Sequence, residues 1–153
     1  MNHTAKPAFL SYKKSRFSTR LPRSRRYTPA HFWIEEVEPG IQRVGLTKFA
    51  TRMLGELVET GMEVEPDASV EVGQIIGWVE CLKAASDLFC MVQGTYRRAN
   101  PALEEDPELL GKDPYFRGWL YEVTGPVPAD SLDTNGYASF LDEVINKMLG
   151  ESS

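Results

Sequence analysis

The sequence predicts a mainly β fold, a β-sandwich or flattened barrel that carries a short helix and a C-terminal amphipathic helix. Two observations lead to this fold class. At least five short runs rich in β-branched and aromatic residues are separated by turn residues at intervals of about eight to twelve positions, as in all-β sandwiches and barrels. The last apolar run instead repeats with the 3.6-residue period of a helix.

Length and composition fit one domain. The chain has 153 residues, 42% of them hydrophobic, which is enough for a core of its own. We expect this domain to span residues 27–150, with a basic arm over residues 1–26 and a short tail over residues 151–153. No apolar run approaches the length of a membrane-spanning helix. The two cysteines and two histidines have no metal-ligand spacing, so we expect no metal site.

The N-terminal segment is strongly basic. The first 34 residues hold eight of the 17 Lys and Arg residues and none of the 22 acidic residues. Three interpretations stay open: a solvated arm that folds back on the acidic body, which we favour, an organelle transit peptide, and a contact with nucleic acid, which we do not expect. Residues 1–26 show no sustained apolar period, so we expect no core face from them.

From residue 27 the chain reads as short strands joined by turns. Residues 31–36 and 41–46 form a predicted hairpin around a Glu-Pro-Gly turn. Thr47 can cap a brief helix over residues 48–54, and Gly55 can end it. Further strands are predicted at residues 56–60, 62–64, 73–80, 88–92 and 118–123, with one helical turn at residues 106–110.

The clearest helix pattern lies over residues 137–149, where seven apolar side chains recur at helical spacing. Thr134 or Asn135 can cap this helix, and Gly150 can end it. We expect its apolar stripe to pack on the sandwich.

One lysine stands in an otherwise apolar and acidic neighbourhood at the centre of the chain. Lys83 lies between the predicted strands 73–80 and 88–92, so that residues 83–86 come at or near the tip of a hairpin. A lysine there is presented to other proteins, and its amine can serve as a point of covalent attachment. We therefore interpret Lys83 as the functional residue.

Four sequence blocks resemble those of the H-protein family of the glycine cleavage system, in the same order. Residues 80–87, Glu-Cys-Leu-Lys-Ala-Ala-Ser-Asp, resemble the family's lipoyl-attachment segment. The other blocks lie at residues 27–34, at residues 44–50 with 54–58, and at residues 113–115 with 118–120. The resemblance covers residues 27–149 and implies the lipoyl/biotinyl-carrier fold, a barrel-sandwich hybrid.

The resemblance implies a carrier without catalytic activity, with lipoate bound as an amide to Lys83. The arm would move an aminomethyl group and reducing equivalents between a PLP-dependent glycine decarboxylase, a tetrahydrofolate-dependent aminomethyltransferase and a dihydrolipoyl dehydrogenase. Biotin carriers share this fold, but their lysine usually lies between two methionines, whereas Leu82 and Ala84 flank Lys83. Lipoate is therefore the expected cofactor.

A lipoyl or octanoyl transferase would attach the group. In the family, a Glu three residues before the lysine and a Gly eleven residues after it matter for this modification, and these places are held by Glu80 and Gly94. We expect Glu80 to offer a carboxylate to the visiting enzyme and Gly94 to permit the turn that closes the hairpin.

The resemblance also implies a cleft in which the loaded arm docks. Asp87 and the adjoining Ser86 match positions at this cleft, and His31 belongs to a block that is typically His-Glu-Trp in the family. Here Phe32 takes the place of the Glu. Because Phe cannot accept a hydrogen bond from an alkylammonium group, we expect weaker retention of the amine, by about 1 kcal/mol or more, partly restored by a cation–π contact.

Two alternatives stay open. The chain is either an H-like lipoyl carrier that serves another lipoate-dependent complex or a lipoate relay, or an unmodified interaction module of the same fold. The bacterial cytoplasm is the favoured location, and the alternative is the mitochondrial matrix with residues 1 to about 26 as transit peptide.

Overall fold

The computed structural model describes residues 8–150, which form eleven strands and four helices arranged around three antiparallel sheets. The strands are β1 (Phe9–Lys14), β2 (Phe17–Pro22), β3 (Arg26–Tyr27), β4 (Phe32–Glu38), β5 (Ile41–Leu46), β6 (Leu57–Met62), β7 (Ser69–Val70), β8 (Ile75–Cys81), β9 (Ala85–Phe89), β10 (Gly94–Ala99) and β11 (Tyr121–Thr124). The helices are α1 (Lys48–Leu54), α2 (Ala102–Glu105), α3 (Leu109–Lys112) and α4 (Thr134–Met148). Within the described residues, none of these helices combines the length and apolarity needed to cross a membrane.

Two of the sheets share one core. The larger sheet has the order β3-β4-β5-β11-β10-β7, and the smaller has the order β6-β8-β9. Alternate residues of β4 and β5, such as Ile34 and Val44, face the same buried cluster as Val79 of β8 and Leu88 of β9. The predicted mainly β sandwich with a short helix and a C-terminal helix is confirmed.

A second buried cluster lies on the other side of the larger sheet. Trp33 of β4 is fully buried there, together with Tyr137, Leu141 and Ile145 of α4. The predicted C-terminal helix therefore packs on the sheet as expected. It begins three residues earlier than the predicted range, and its cap is Asp133, whose Oδ1 accepts the Gly136 N–H at 2.7 Å. The predicted caps at Thr134 and Asn135 are wrong.

Helix α1 joins the two clusters. The Thr47 hydroxyl accepts the Ala50 N–H at 3.3 Å, and Gly55 ends the helix at a φ of +82°. Phe49 packs into the second cluster, whereas Ala50 packs against the first. The predicted helix, its cap and its end are all confirmed.

The N-terminal segment differs from the prediction. Residues 9–22 form the β1–β2 hairpin, which places Tyr12, Phe17 and Leu21 in the second cluster. Arg25 is also buried, with its guanidinium 4.5 Å from the Trp33 ring. The expectation that residues 1–26 supply no core face is therefore wrong for the described part. Residues 1–7 of the predicted arm and the predicted tail, residues 151–153, lie outside the described residues.

Strand bounds also differ after Lys83. The second strand of the predicted hairpin covers Ala85–Phe89 and not residues 88–92, and a strand that the sequence did not predict, β10, follows at Gly94–Ala99. Strand β10 pairs with β11 in the larger sheet, where Arg98 donates to the buried carboxylate of Glu122 at 3.0 Å. A helix of one turn, α2, was also not predicted.

Candidate functional site

Lys83 lies in a tight two-residue turn between β8 and β9. Cys81 and Ala84 close this turn by exchanging backbone hydrogen bonds, at 2.7 Å from Cys81 N and 3.3 Å from Ala84 N. The Leu82 N–H donates to the Glu56 carbonyl at 2.9 Å, which fastens the turn to the segment before β6. Lys83 is exposed, and Leu82 is 69% exposed. The turn is therefore both protruding and held in place.

Acidic side chains surround the base of this turn. Glu80 is exposed on β8, directly opposite the exposed Glu59 of β6. Like charges in directly opposed positions destabilise an antiparallel pair. The two carboxylates give this side of the hairpin a negative potential, which a cationic surface of another protein can recognise.

A groove of about 240 Å³ opens beside the hairpin, along the edge strand β9. Its walls are mainly apolar and come from β4, β5, α1 and the β8–β9 hairpin: Ala30, Phe32, Leu46, Ala50, Met53, Leu54, Val79, Leu88 and Phe89. Ser86 and Asp87 of β9 are the polar residues of the lining. Asp87 follows Lys83 by four residues, a path of about 13 Å along an extended strand. A long flexible group on Lys83 can therefore fold back into this groove.

The structure brings three of the predicted docking residues together and places the fourth elsewhere. Phe32, Ser86 and Asp87 all line the groove. His31, in contrast, packs into the second cluster, with its ring centroid 4.7 Å from that of Phe49. His31 adopts a φ of +69° and is not among the residues that line the groove. Ser86 is an exposed residue of β9 near the tip of the hairpin, in agreement with the prediction.

His31 belongs to a hydrogen-bonded chain that positions one wall of the groove. Its Nδ1 lies 2.8 Å from the Tyr137 hydroxyl, which lies 2.8 Å from the hydroxyl of Thr47, the cap of α1. The Thr47 N–H donates to the His31 carbonyl at 3.0 Å. Burial lowers the pKa of His31 from 6.5 to about 4, so the ring is neutral at physiological pH. The chain links α4 to the start of α1, which carries part of the groove.

The Trp of the same block is a core residue. Trp33 is fully buried, and its Nε1–H donates to the Pro114 carbonyl at 2.9 Å. Gly45 lies against the ring, where a Cβ would come 2.5 Å from ring carbons. Trp33 therefore fixes β4 against β5 and does not face the groove.

Gly94 does not close the hairpin as predicted. The hairpin closes at Leu82 and Lys83, whereas Gly94 begins β10 in the larger sheet, where it pairs with Val70. A Cβ at Gly94 would overlap the carbonyl oxygen of Thr124 on the neighbouring strand. The glycine is required by this close approach of two backbones.

The two cysteines near the site are free and buried. Burial, followed by the charge of Glu80, raises the pKa of the Cys81 thiol, and burial also raises the pKa of Cys90. A raised pKa keeps the thiol protonated and weakly nucleophilic, so neither cysteine is suited to attack a disulfide on a nearby arm. Among residues 8–150, no three His, Cys, Asp or Glu side chains converge as they would at a metal site.

Several groove residues could not be found from the sequence. Met53 and Leu54 lie on the far end of α1, and Ala30 precedes β4, so they meet β9 only through tertiary packing. The only available indication was the apolar character of each segment, which also fits ordinary core packing.

Comparison with known proteins identifies the family. The family model of the glycine cleavage H-protein matches residues 25–139. The chain is 39% identical over 124 residues to a glycine cleavage system H protein of Bacteroides fragilis, covering 79% of this chain and 97% of that protein. It is 42% identical over 118 residues to the H protein of Dinoroseobacter shibae, covering 75% and 95% respectively. The crystal structure of an H protein from Mycobacterium marinum matches with a TM-score of 0.72 and 34% identity, over 80% of this chain and 99% of that one.

Proposed function

This chain belongs to the family of glycine cleavage system H proteins, the lipoyl carriers of that system, which catalyse no reaction themselves, and we propose that it carries its lipoyl group on Lys83. The observation that carries the proposal is the exposure of Lys83 in a two-residue turn that is anchored to the Glu56 carbonyl. Such a turn presents the amine to a transferase without any need for unfolding. A lipoyl or octanoyl transferase would form the amide, with loss of the positive charge on the nitrogen.

Glu80 and Gly94 support this modification in different ways. Glu80 is exposed three residues before Lys83, where its carboxylate can pair with a cation of the transferase. Gly94 acts at a distance, because it allows β10 to approach β11 in the larger sheet, which shares its core with the smaller sheet from which the hairpin projects. We therefore assign Glu80 a role in recognition by the transferase and Gly94 a role in maintaining the fold.

The groove is suited to hold the arm between visits to the enzymes. When bound, the lipoyl group supplies a dithiol that carries the aminomethyl group and is reoxidised, and the protein supplies position. The apolar walls around Phe32 would cover the carbon chain, and Asp87 would pair with a cationic amine at the rim. His31 would act as a positioning residue, because it reaches the groove only through Tyr137 and Thr47.

The partners that follow from this role are a PLP-dependent glycine decarboxylase, a tetrahydrofolate-dependent aminomethyltransferase and a dihydrolipoyl dehydrogenase. We place the protein in the bacterial cytoplasm, in keeping with the bacterial sources of its relatives. Tyr12, Phe17 and Leu21 are buried in the core, so the folded protein needs residues 9–22. This disfavours the removal of these residues as a transit peptide.

One observation favours a second function. With Phe32 in its wall, the groove has a single carboxylate, Asp87, with which to hold an amine. This composition suits an uncharged acyl chain, as in a carrier that serves another lipoate-dependent complex or relays lipoate. The third possibility, an unmodified interaction module, gives no functional reason for the exposure of Lys83.

Mass spectrometry tests the attachment. Protein purified from lipoate-replete cells should carry one lipoyl group, Lys83→Arg should abolish it, and Lys13→Arg, at another exposed lysine, should leave it unchanged. An unmodified mass for the wild type would reject the carrier proposal and favour the interaction module.

Reconstitution tests the glycine assignment. The lipoylated protein, combined with the three enzymes, should support glycine-dependent bicarbonate exchange. Modified protein that supports no exchange would reject this assignment and favour a carrier for another complex.

A further inference from the structure

The β1–β2 hairpin lies outside the region shared with the family, because the family match begins at residue 25. Its inward side is nevertheless part of the core. Phe17 packs edge-on against Phe49 of α1, with 5.4 Å between ring centroids, and the Tyr12 hydroxyl donates to Asp142 of α4 at 2.8 Å. Because both strands are fastened to helices, the outward side of the hairpin is displayed in a defined position.

This outward side carries cations that have no anionic partner. Lys13, Arg16 and Arg20 are exposed, and among residues 8–150 no carboxylate lies within 4.0 Å of any of them. Lys13 stands opposite Ser18, and Arg20 opposite Ser11, so hydroxyl groups and not carboxylates separate the charges. We call Lys13, Arg16 and Arg20 the basic surface. The basic surface is therefore a region of positive charge on a protein whose net charge is -5.

The basic surface continues toward the groove beside β9. Arg20 shares a shallow depression of about 400 Å³ with Lys48, Lys112 and one acidic residue, Asp113. Lys48 donates to the Gly111 carbonyl and Lys112 pairs with Glu108, so Arg20 is the cation of this depression without a polar partner among residues 8–150. Lys48 is the first residue of α1, and the opposite side of that helix forms one wall of the groove. Helix α1, which is about 10 Å wide, thus lies between the depression that contains Arg20 and the groove.

We propose that the basic surface is a docking site for the carboxylate-rich rim of an enzyme that acts on the arm of Lys83. The inference rests on the proposed function, since it takes Lys83 as the point that the enzyme visits. A specific protein interface covers about 800 Å² on each partner, a patch roughly 28 Å across. An enzyme seated over the hairpin turn and the groove would therefore also contact the basic surface.

Opposite charges flank the groove and would orient such an enzyme. The negative pair Glu59 and Glu80 lies on the β6–β8 side, and the basic surface lies beyond α1. An enzyme with the complementary pattern would be steered into one orientation before contact. Nucleic acid fits less well, because the acidic body repels phosphates and the aromatic rings of Tyr12 and Phe17 are buried, where they cannot stack on bases.

Binding measurements with charge variants test the proposal. The full chain is titrated separately with the glycine decarboxylase, the aminomethyltransferase and the dihydrolipoyl dehydrogenase of the source organism, at 50 and 500 mM salt. K13E/R16E should raise Kd for at least one enzyme by about 5- to 20-fold at low salt, and by less than about twofold at high salt. R117E/K147E makes the same change in net charge at exposed cations outside the basic surface that likewise have no carboxylate within 4.0 Å among residues 8–150, and it should raise Kd much less.

The following outcomes would contradict the docking proposal. Equal effects of the two double variants, or no effect of either, would overturn the proposal. So would binding of wild-type protein to duplex DNA or RNA at 150 mM salt that K13E/R16E abolishes, or self-association that the same variant abolishes. The mass of the wild-type protein separates the two proposals. A K13E/R16E effect on binding by wild-type protein that carries no lipoyl group would support docking while rejecting the carrier function of Lys83, and lipoylated protein without such an effect would reject docking alone.

Discussion

Replacing Phe32 by Glu should make the groove hold an amine-bearing arm more tightly. Phe32 is 4% exposed and lines the groove together with Asp87. A carboxylate there can accept a charge-assisted hydrogen bond from an alkylammonium group, worth about 1.5–3 kcal/mol, while the cation–π contact that is lost is worth about 0.5–2 kcal/mol. The net gain of about 1 kcal/mol corresponds to a roughly fivefold longer lifetime of the aminomethyl-loaded protein.

The same substitution weakens the core, so stability must be measured beside the lifetime. Phe32 belongs to the buried cluster between the two sheets. Truncation of a buried Phe to Ala costs about 3–5 kcal/mol, and Glu should cost at least as much, because it also buries a carboxylate. Phe32→Gln is the matched control, because Gln has the size of Glu and leaves a similar cavity but has no charge.

The assay follows the release of formaldehyde and ammonia from loaded protein in the absence of tetrahydrofolate. Denaturant unfolding establishes that both variants remain folded at the assay temperature. The F32E protein should release these products about fivefold more slowly than the wild type, and it should also release them more slowly than the F32Q protein. Equal release rates for the two folded variants would refute the reasoning, because they would show that charge at this position does not act on the amine.

Three further predictions concern stability. Burial lowers the pKa of His31 from 6.5 to about 4, so as the pH falls His31 is protonated in the unfolded chain before it is protonated in the folded protein. The free energy of unfolding, measured by guanidinium titration, should therefore drop between pH 6.5 and 4, and His31→Gln should flatten that slope; a slope unchanged in the variant would assign it to other groups. Gly94→Ala should unfold the protein or lower its Tm strongly in circular dichroism, because a Cβ would overlap the Thr124 carbonyl, whereas Gly111→Ala, whose Cβ would meet only a Leu side chain at 3.6 Å, should not. Glu59→Gln should raise the free energy of unfolding by about 0.2–1 kcal/mol by removing a directly opposed like-charge pair, and a loss of stability would contradict this account.

Elements with local determinants were predicted well from the sequence. Helix α1 has its cap at Thr47 and its end at Gly55 as expected, because both depend on residues within one turn of the helix ends. The hairpin turn was placed within one residue of Lys83 for the same reason. The cap of α4 was misplaced because Thr134 and Asn135 are as suitable by type as Asp133, and only the backbone geometry distinguishes them.

The β1–β2 hairpin shows how charge can hide a strand pattern. Tyr12 points inward and its neighbour Lys13 outward, and in the next strand Leu21 is buried while Arg20 is exposed. This is the two-residue alternation of a half-buried strand. The density of bases led to the prediction of a solvated arm, although the alternation was present. Strand β10 was missed for a different reason. Its Arg98 is placed in a strand by an ion pair with Glu122, which lies 24 positions further along the chain, so no local pattern indicates it.

The groove could be expected only from the resemblance to a known family, because no local pattern in the sequence encodes it. Its walls come from the start of β4, the end of β5, helix α1 and the β8–β9 hairpin, which meet only when the two sheets enclose a common core. Tyr137 then couples the C-terminal helix to the start of α1 through the Thr47 hydroxyl. The groove therefore depends on α4, which contributes no residue to its lining. The resemblance in sequence could therefore place Phe32 and Asp87 at one cleft, but the structure does not bring His31 to it. His31 precedes β4 at a φ of +69°, and its ring packs against Tyr137 of α4 on the other side of the larger sheet.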